Sequence, residues 1–330
     1  MIGSSNILNL STLCKFLKKH DDYIILTHTS PDGDTLGSAY ALALGLISIG
    51  KKAFVVCNDE IPEKYNYFVK EANLKSIDYK TVVAVDVADA KLLGSLYEKY
   101  SDKIELTIDH HVSNTHYAKN LYLDAAASAT AECIYEILKK LHIKITPLMA
   151  TALYTGISTD TGCFKYSNVT PKTHRIAAEL HGFGIDAAEI NRKMFDTKSK
   201  QRVELEKMVL ETAEFLFDDR CLLLTVTSEM QSRSGCEPSD LDGVASISRS
   251  VEGVLIGVSI KQSEKDTYKI SLRTYEPFNA SEICKTLGGG GHKAAAGCTL
   301  IGSLSEVKKQ IVDAVGKAIE ENDARAIVTE

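Results

Sequence analysis

Four apolar runs in the first 160 residues end in aspartate, and two of them bring histidine with them. Tyr23–Thr27 leads into His28-Thr-Ser-Pro-Asp32-Gly-Asp34, and Val82-Val-Ala-Val leads to Asp86. Ile104–Ile108 leads to Asp109-His110-His111, and Ala152–Ser158 leads to Thr159-Asp160. Carboxylates gathered on one rim repel each other unless a cation lies among them. Asp32, Asp34, Asp86 and Asp160 contribute four negative charges. Two divalent ions neutralise that charge and one does not, so the count favours a binuclear centre. Mixed imidazole and carboxylate ligands suit Mn2+, Fe2+, Co2+ or Zn2+ better than Mg2+, with manganese as first choice. Two ions roughly 3.5–4 Å apart can share a water, lower its pKa and polarise a phosphoryl oxygen for in-line attack. A single strand-end aspartate is usually a cap or turn residue, and Asp32-Gly-Asp34 by itself is an ordinary turn. Four such ends in this order point to a metal site. The H-x-x-x-D-x-D spacing is expected to put Asp32 and Asp34 on one side of an extended segment, each facing a different ion.

These residues need a scaffold that delivers several chain ends to one edge. Residues 7–20 read as a helix, Tyr23–Thr27 as a strand and Leu36–Ile49 as a small-residue helix. Lys52–Cys57, Thr81–Val85 and Ile104–Ile108 read as further strands. Helices are expected near Ala129–Leu141, Pro147–Ser158 and Pro171–His181. Alternating strands and helices predict an α/β fold, a parallel sheet flanked by helices. Ligands of such sheets bind beyond the carboxyl ends of the strands, where His28, Asp32, Asp34, Asp86, Asp109 and His110 fall.

After residue 195 the pattern changes. The charged stretch at 196–214 reads as a linker that becomes a helix, with Lys198, Lys200 and Arg202 solvated. Cys221–Thr227, Gly253–Gln262 and Thr267–Thr274 read as strands, with a hairpin through Glu-Lys-Asp. A helix at Ser281–Leu287 runs into Gly288-Gly-Gly-Gly-His292. A strand near Ala296–Leu300 and an amphipathic helix at Ser305–Glu321 complete a second, smaller α+β domain. Four glycines in a row are costly in folding entropy. They make sense where backbone approaches a ligand closely, as when successive N–H groups cradle a phosphate. Arg273 at a strand end can bind a terminal phosphate bidentately, with His292 beside it.

Composition narrows the partners. The 330 residues are 44% hydrophobic and 25% charged, with a formal net charge of −6. A long nucleic-acid groove would need a basic stripe, and none is visible. No apolar run approaches the roughly 18 residues of a membrane span, and Met1–Leu13 lacks a signal-peptide pattern. The eight cysteines are scattered without a C-x-x-C pair, which reads as free thiols in a reducing, cytoplasmic setting.

The residues quoted are similar to the motifs of the DHH phosphoesterase superfamily. His28-x-x-x-Asp32-x-Asp34 resembles the first motif, Val83-Ala-Val-Asp86 the second, Asp109-His110-His111 the third and Ser158-Thr-Asp160-Thr-Gly the fourth. Ser271-Leu-Arg273 and Gly288–Gly297 resemble the DHH-associated C-terminal domain. The likeness covers nearly the whole chain, and its layout most resembles the stand-alone bacterial nanoRNase/pAp phosphatase group. It implies a catalytic metal-binding domain at 1–195, a linker and helix at 196–214, and a substrate-binding domain at 215–330, with an interdomain cleft. It also implies two Mn2+ per chain, with Mg2+, Co2+ or Zn2+ as substitutes. One ion would take His28, Asp32 and a bridging Asp86, and the other Asp34, Asp86, His110 and Asp160. His111 would contact the scissile phosphate and, with Asp86, carry the catalysis, while Asp109 would orient a neighbour. Arg273, Gly289, Gly290, Gly291 and His292 would hold the substrate.

The implied reaction is removal of mononucleotides from very short RNA and of the 3′-phosphate from 3′-phosphoadenosine 5′-phosphate (pAp). The implied partners are these small nucleotides, with a homodimer as an option. Rivals are a cyclic di-AMP/pApA phosphodiesterase, a RecJ-like single-strand exonuclease and a non-catalytic nucleotide-binding module. A family II pyrophosphatase shares the first domain but lacks the glycine tract.

Overall fold

The computed structural model describes residues 5–236 and 243–328. The chain forms two compact units, residues 1–197 and 198–330. Among the described residues, no helix is long and apolar enough to cross a membrane.

In the first unit the elements run β1 (Asn6–Ile7), α1 (Leu10–Lys19), β2 (Tyr23–Leu26), α2 (Gly33–Ser48), β3 (Ala53–Val56) and α3 (Asn66–Ala72). They continue as β4 (Thr81–Val85), α4 (Ser95–Tyr100), β5 (Ile104–Asp109), β6 (Asn120–Leu123), α5 (Thr130–Lys140), α6 (Pro147–Asp160), α7 (Pro171–His181) and α8 (Ala187–Asn191). The sheet order is β1-β6-β5-β4-β2-β3, and every pairing is parallel. Covering helices bury both faces, so the central strands are apolar throughout rather than alternating. Alternate residues serve opposite faces. Tyr23, Ile25, Val83 and Val85 join the large core that includes α2, α5 and α6. Ile24, Leu26, Val82 and Ala84 join a smaller core on the other side.

Register then sets the rim. Leu26 is level with Ala84 and Val85 with Ile108, so β2, β4 and β5 end side by side. Helices α2 and α6 lie close together. A Cβ at Gly37 would sit 2.2 Å from the Ala152 carbonyl oxygen, and one at Gly156 would meet Ala131 and Asp34. The small-residue run in α2 therefore brings the helices carrying Asp34 and Asp160 into contact.

In the second unit the elements are α9 (Lys200–Leu210), β7 (Glu214–Leu216), β8 (Cys221–Val226), α10 (Ser228–Ser234), α11 (Val244–Ile247) and β9 (Ile256–Glu264). β10 (Thr267–Thr274), α12 (Ala280–Thr286), β11 (Gly290–His292), β12 (Ala295–Ile301) and α13 (Leu304–Val328) complete it. The sheet order is β11-β12-β10-β9-β8-β7; β8 and β9 are parallel and the remaining pairs antiparallel. One face packs on α12 and α13. The other packs on α9 through Leu205 and Val209.

Three readings change. The first helix starts at Leu10, because Asn6 and Ile7 pair with Asn120 and Leu121 as a short edge of the sheet. The charged stretch after 196 is no solvated linker at Arg202. That side chain is buried, with Nε donating to Glu206 Oε1 at 2.8 Å, and Ser199 caps the helix. The glycine tract is a loop only at its start, since Gly290–His292 pair with Ala295–Gly297 as an edge strand. Gly289 and Gly291 allow close contact with β12, where a Cβ would strike Gly297 O and Ala296 Cα at 2.3 and 2.6 Å.

Alanine at Gly37 tests the helix contact. Helix propensity favours alanine by about 1 kcal/mol, but its methyl would meet unyielding backbone. Overpacking of that kind costs about 1–3 kcal/mol. Gly37→Ala should therefore lower the thermal midpoint by several degrees; an unchanged or higher midpoint would show that α2 and α6 can separate freely.

Candidate metal centre

Each element ends in a way that aims a side chain at one spot. Beyond β2 the chain passes through Thr27 to His28, whose Nδ1 lies 2.7 Å from Thr29 O. Asp32 is the N-cap of α2, accepting from the amides of Asp34 and Thr35 at 3.0 and 3.1 Å. The two aspartates therefore do not share an extended segment. Asp32 precedes the helix, and Asp34 lies in its first turn, buried beneath it. Helix capping has taken over the spacing that sequence alone suggests is extended. Asp86 follows β4 in the left-handed region at φ +61°, where its carboxylate meets the start of α5. His110 follows β5, with Nδ1 3.1 Å from Ala127 O. Asp160 is the last residue of α6.

The carboxylates meet two histidines without pairing to them. His28 Nε2 lies 3.6 Å from Asp32 Oδ1 and 3.7 Å from Asp86 Oδ2. His110 Nε2 lies 3.5 Å from Asp160 Oδ2, 3.8 Å from Asp86 Oδ1 and 4.0 Å from Asp34 Oδ2. The two oxygens of Asp86 thus face different histidines. In both rings Nδ1 faces a backbone carbonyl, so Nε2 is the nitrogen turned toward the carboxylates.

The donor set fits divalent ions. His110 Nε2 is buried and has no hydrogen-bond partner, and a buried polar atom left so is costly. Its distances to three carboxylates exceed hydrogen-bonding range. They match instead two ligands of one ion, each about 2.0–2.2 Å from it. Among the described residues, three groups of side chains have ligand atoms close enough to share an ion: His28, Asp32 and Asp86; Asp34, His110 and Asp160; and Asp86, His110 and His111.

Electrostatics points the same way. Burial and the neighbouring Asp86, Asp160 and Asp32 push the Asp34 carboxyl well above its ordinary range. Burial, opposed by His110 and assisted by Asp86, raises Asp160 to about 7. Burial also opposes a charged His28, but Asp32 and Asp86 outweigh it and hold its pKa up at about 11. Without ions, protons do the neutralising.

Asp109 and His111 are built differently. Asp109 is fully buried. Its Oδ1 accepts from the His110 and His111 amides and from His111 Nδ1 at 2.8 Å, and Oδ2 accepts from Asn114 at 2.7 Å. Burial opposes the imidazolium of His111, yet Asp109 and Asp86 raise its pKa to about 9.

Sequence reading missed the groups that hold the ligands. Asp34 accepts from the amides of Thr130 and Ala131 at 2.7 and 2.9 Å, at the N-terminus of α5, and from Ser38 Oγ at 3.2 Å. Thr130 Oγ1 also donates to Asp86 Oδ1 at 2.8 Å. The only clue in the sequence is a hydroxyl residue at a helix start, which is too common to single out. In the second unit Arg273 is half-buried on β10, with Nη1 donating to Leu272 O at 2.9 Å. Gly290 has open space where a Cβ would be. The His292 side chain lies outside the described residues.

Residues 22–157 match the DHH family, N-terminal domain, and residues 219–321 match the DHHA1 domain. The chain is 34% identical over 299 residues to the bifunctional oligoribonuclease and PAP phosphatase NrnA of Thermus thermophilus, covering 88% of each. It is 24% identical to the Bacillus subtilis protein of the same name, over 91% of this chain and 96% of that one. In fold it resembles an exopolyphosphatase-related protein from Bacteroides fragilis, with a TM-score of 0.83, 25% identity and coverage of 93% and 95%. Manganese-bound RecJ of Thermus thermophilus shares the fold at a TM-score of 0.53 and 16% identity, over 94% of this chain and 54% of RecJ.

The raised pKa of Asp160 helps the ion-free fold below its ordinary value of 3.8, and that help is lost as pH rises through about 7. Asp34 is shifted in the same direction. The stabilisation produced by a divalent ion should therefore grow with pH across this interval. At an ion concentration of 100 times Kd it should reach about 2.7 kcal/mol per site. Thermal denaturation with manganese or with a chelator checks this; a pH-independent increment would place the ion elsewhere.

Proposed function

The chain belongs to the DHH phosphoesterase family, in the branch that joins a DHH domain to a DHHA1 domain, and from that membership we propose its reaction and substrates. It is a metal-dependent hydrolase of phosphoester bonds. Its substrates are very short RNA oligonucleotides, released as mononucleotides, and pAp, which loses its 3′-phosphate. The observation that carries this reading is the placement of Asp86. Its two oxygens face His28 and His110 separately, which would let one carboxylate serve both groups of ligands.

In this reading His28, Asp32 and Asp86 would hold one manganese ion, and Asp34, Asp86, His110 and Asp160 would hold the other. When bound, the ions acidify water and polarise the phosphoryl group. The remaining work falls to the protein. Thr130 and Ala131 hold Asp34, and the carbonyls of Thr29 and Ala127 hold the two histidine rings. Asp109 accepts from His111 Nδ1 at 2.8 Å and favours the charged form of that ring. Its other ring nitrogen is a donor for a phosphate oxygen on which charge develops in the transition state. One P–O ester bond is exchanged for a P–OH, with water as the only co-reactant. In the second unit, Arg273, His292 and the backbone of Gly289, Gly290 and Gly291 would bind a phosphate group.

Product analysis with manganese on pAp, a 5-mer RNA, cyclic di-AMP and pApA, side by side, tests the substrate choice. Turnover should be found on pAp and the 5-mer; confinement to cyclic di-AMP and pApA would replace this reading with the cyclic-dinucleotide one. Asp86→Ala should abolish turnover of every substrate, and wild-type-like activity would sink the shared-carboxylate assignment.

Arg273→Ala should raise KM for substrates with a phosphorylated end by roughly tenfold or more, since a charge-assisted bond is worth about 1.5–3 kcal/mol. An unchanged KM with an early thermal transition would make Arg273 a structural residue of β10.

A further inference from the structure

Three consecutive residues beyond α6, Gly162, Cys163 and Phe164, have left-handed φ values of +55°, +59° and +61°. L-residues avoid such a run because Cβ crowds the following carbonyl, so neighbouring contacts must hold it. Phe164 N–H donates to Thr161 Oγ1 at 3.1 Å. The amides of Lys165 and Tyr166 donate to Thr161 O at 2.9 and 3.1 Å. The Phe164 ring stacks on His174, with centroids 5.6 Å apart and an interplanar angle of 22°. Asn168 Nδ2 closes the loop by donating to Ser128 O and Asp160 O at 3.0 and 3.2 Å.

The loop folds Tyr166 back over Gly162, two residues beyond Asp160. Its ring covers Gly162, where a Cβ would lie 2.3 Å from Cζ. Gly162 is two residues from Asp160, so their Cα atoms are at most about 7 Å apart. Even so, Tyr166 remains 49% exposed, and its neighbour Lys165 is exposed beside it. A pinned loop that holds an aromatic ring half in solvent, over the second residue beyond Asp160, has the chemistry of a base-stacking surface. Such rings accept any base, because every base has a π-face.

We propose that Tyr166 is a nucleobase platform of this centre, its exposed ring stacking on the base of the nucleotide whose phosphate is cut. The inference rests on the phosphoesterase reading above and adds to it a reason for taking nucleotides of any sequence. In the manganese-loaded enzyme, Tyr166→Ala should raise KM for pApA by about 5- to 150-fold, the range one stacked base contributes, and Tyr166→Phe should restore it. The preference in kcat/KM for pApA over the same dinucleotide with one abasic residue should collapse toward one in the alanine variant.

Binding can also be read without turnover. The chain has no tryptophan, so Tyr166→Trp introduces a single indole whose fluorescence AMP should quench and ribose 5-phosphate should not. Equal losses on base-bearing and abasic substrates, with phenylalanine as defective as alanine, would mean that the ring only covers Gly162, and would overturn the proposal. So would an unquenched indole in an enzyme that still hydrolyses pApA. If the wild type cleaves no phosphoester, the proposed reaction fails, while quenching still decides the platform.

Discussion

Asp34 and Asp86 are almost wholly buried, with Asp32 beside His28 and Asp160 beside His110. Charges of one sign gathered in a poorly solvated site raise each other's proton affinity or demand a counter-charge. Much of the first unit answers that demand. The N-terminus of α5 gives two amides to Asp34, a placement that also suits the positive end of the helix dipole. The N-terminus of α2 gives two to Asp32. These contacts soften the repulsion without removing it, and the unpartnered Nε2 of His110 marks where a cation completes the balance.

That arrangement depends on helices approaching more closely than side chains normally permit. Gly37 and Gly156 let α2 meet α6, and at Gly156 the space a side chain would fill is taken by Asp34 and Ala131. The parallel sheet supplies the other half of the geometry by ending β2, β4 and β5 level with one another. Packing in the core and spacing of the ligands are thus one problem. A change that separates the helices also separates Asp34 from Asp160.

The neighbouring histidines His110 and His111 show how local partners divide labour. A backbone carbonyl holds one ring and a buried carboxylate holds the other. The carbonyl turns Nε2 of His110 toward the carboxylates, whereas Asp109 favours the charged form of His111 and makes it a donor. Adjacent residues of one type acquire different chemistry because their Nδ1 atoms face different acceptors. The glycine tract of the second unit carries a similar lesson. Two of its glycines, Gly289 and Gly291, answer to strand packing against β12, whereas Gly288 and Gly290 keep open space on their Cβ side.

Local patterns sufficed to see the parallel α/β layout, the aspartate-ended runs and the likeness to a phosphoesterase family. Each is written within a few residues: an apolar strand, the acid that follows it, and histidines at short spacing. The charge count that calls for two ions is likewise a property of composition. Other features depend on contacts that no local pattern carries. Thr130 meets Asp34 across 96 residues. The two-residue strand β1 exists only because β6 is there to pair with it. Asp32 turned out to cap a helix, since amides in a helix's first turn compete for any carboxylate that precedes it. Tyr166 gained its position from a left-handed turn held by Asn168 and by Phe164 stacking on His174. The chain by itself determined which residue types and charges come together; only tertiary packing decided which amide, carbonyl or ring each would face, because those partners are distant in sequence and meet only when the helices close over the sheet.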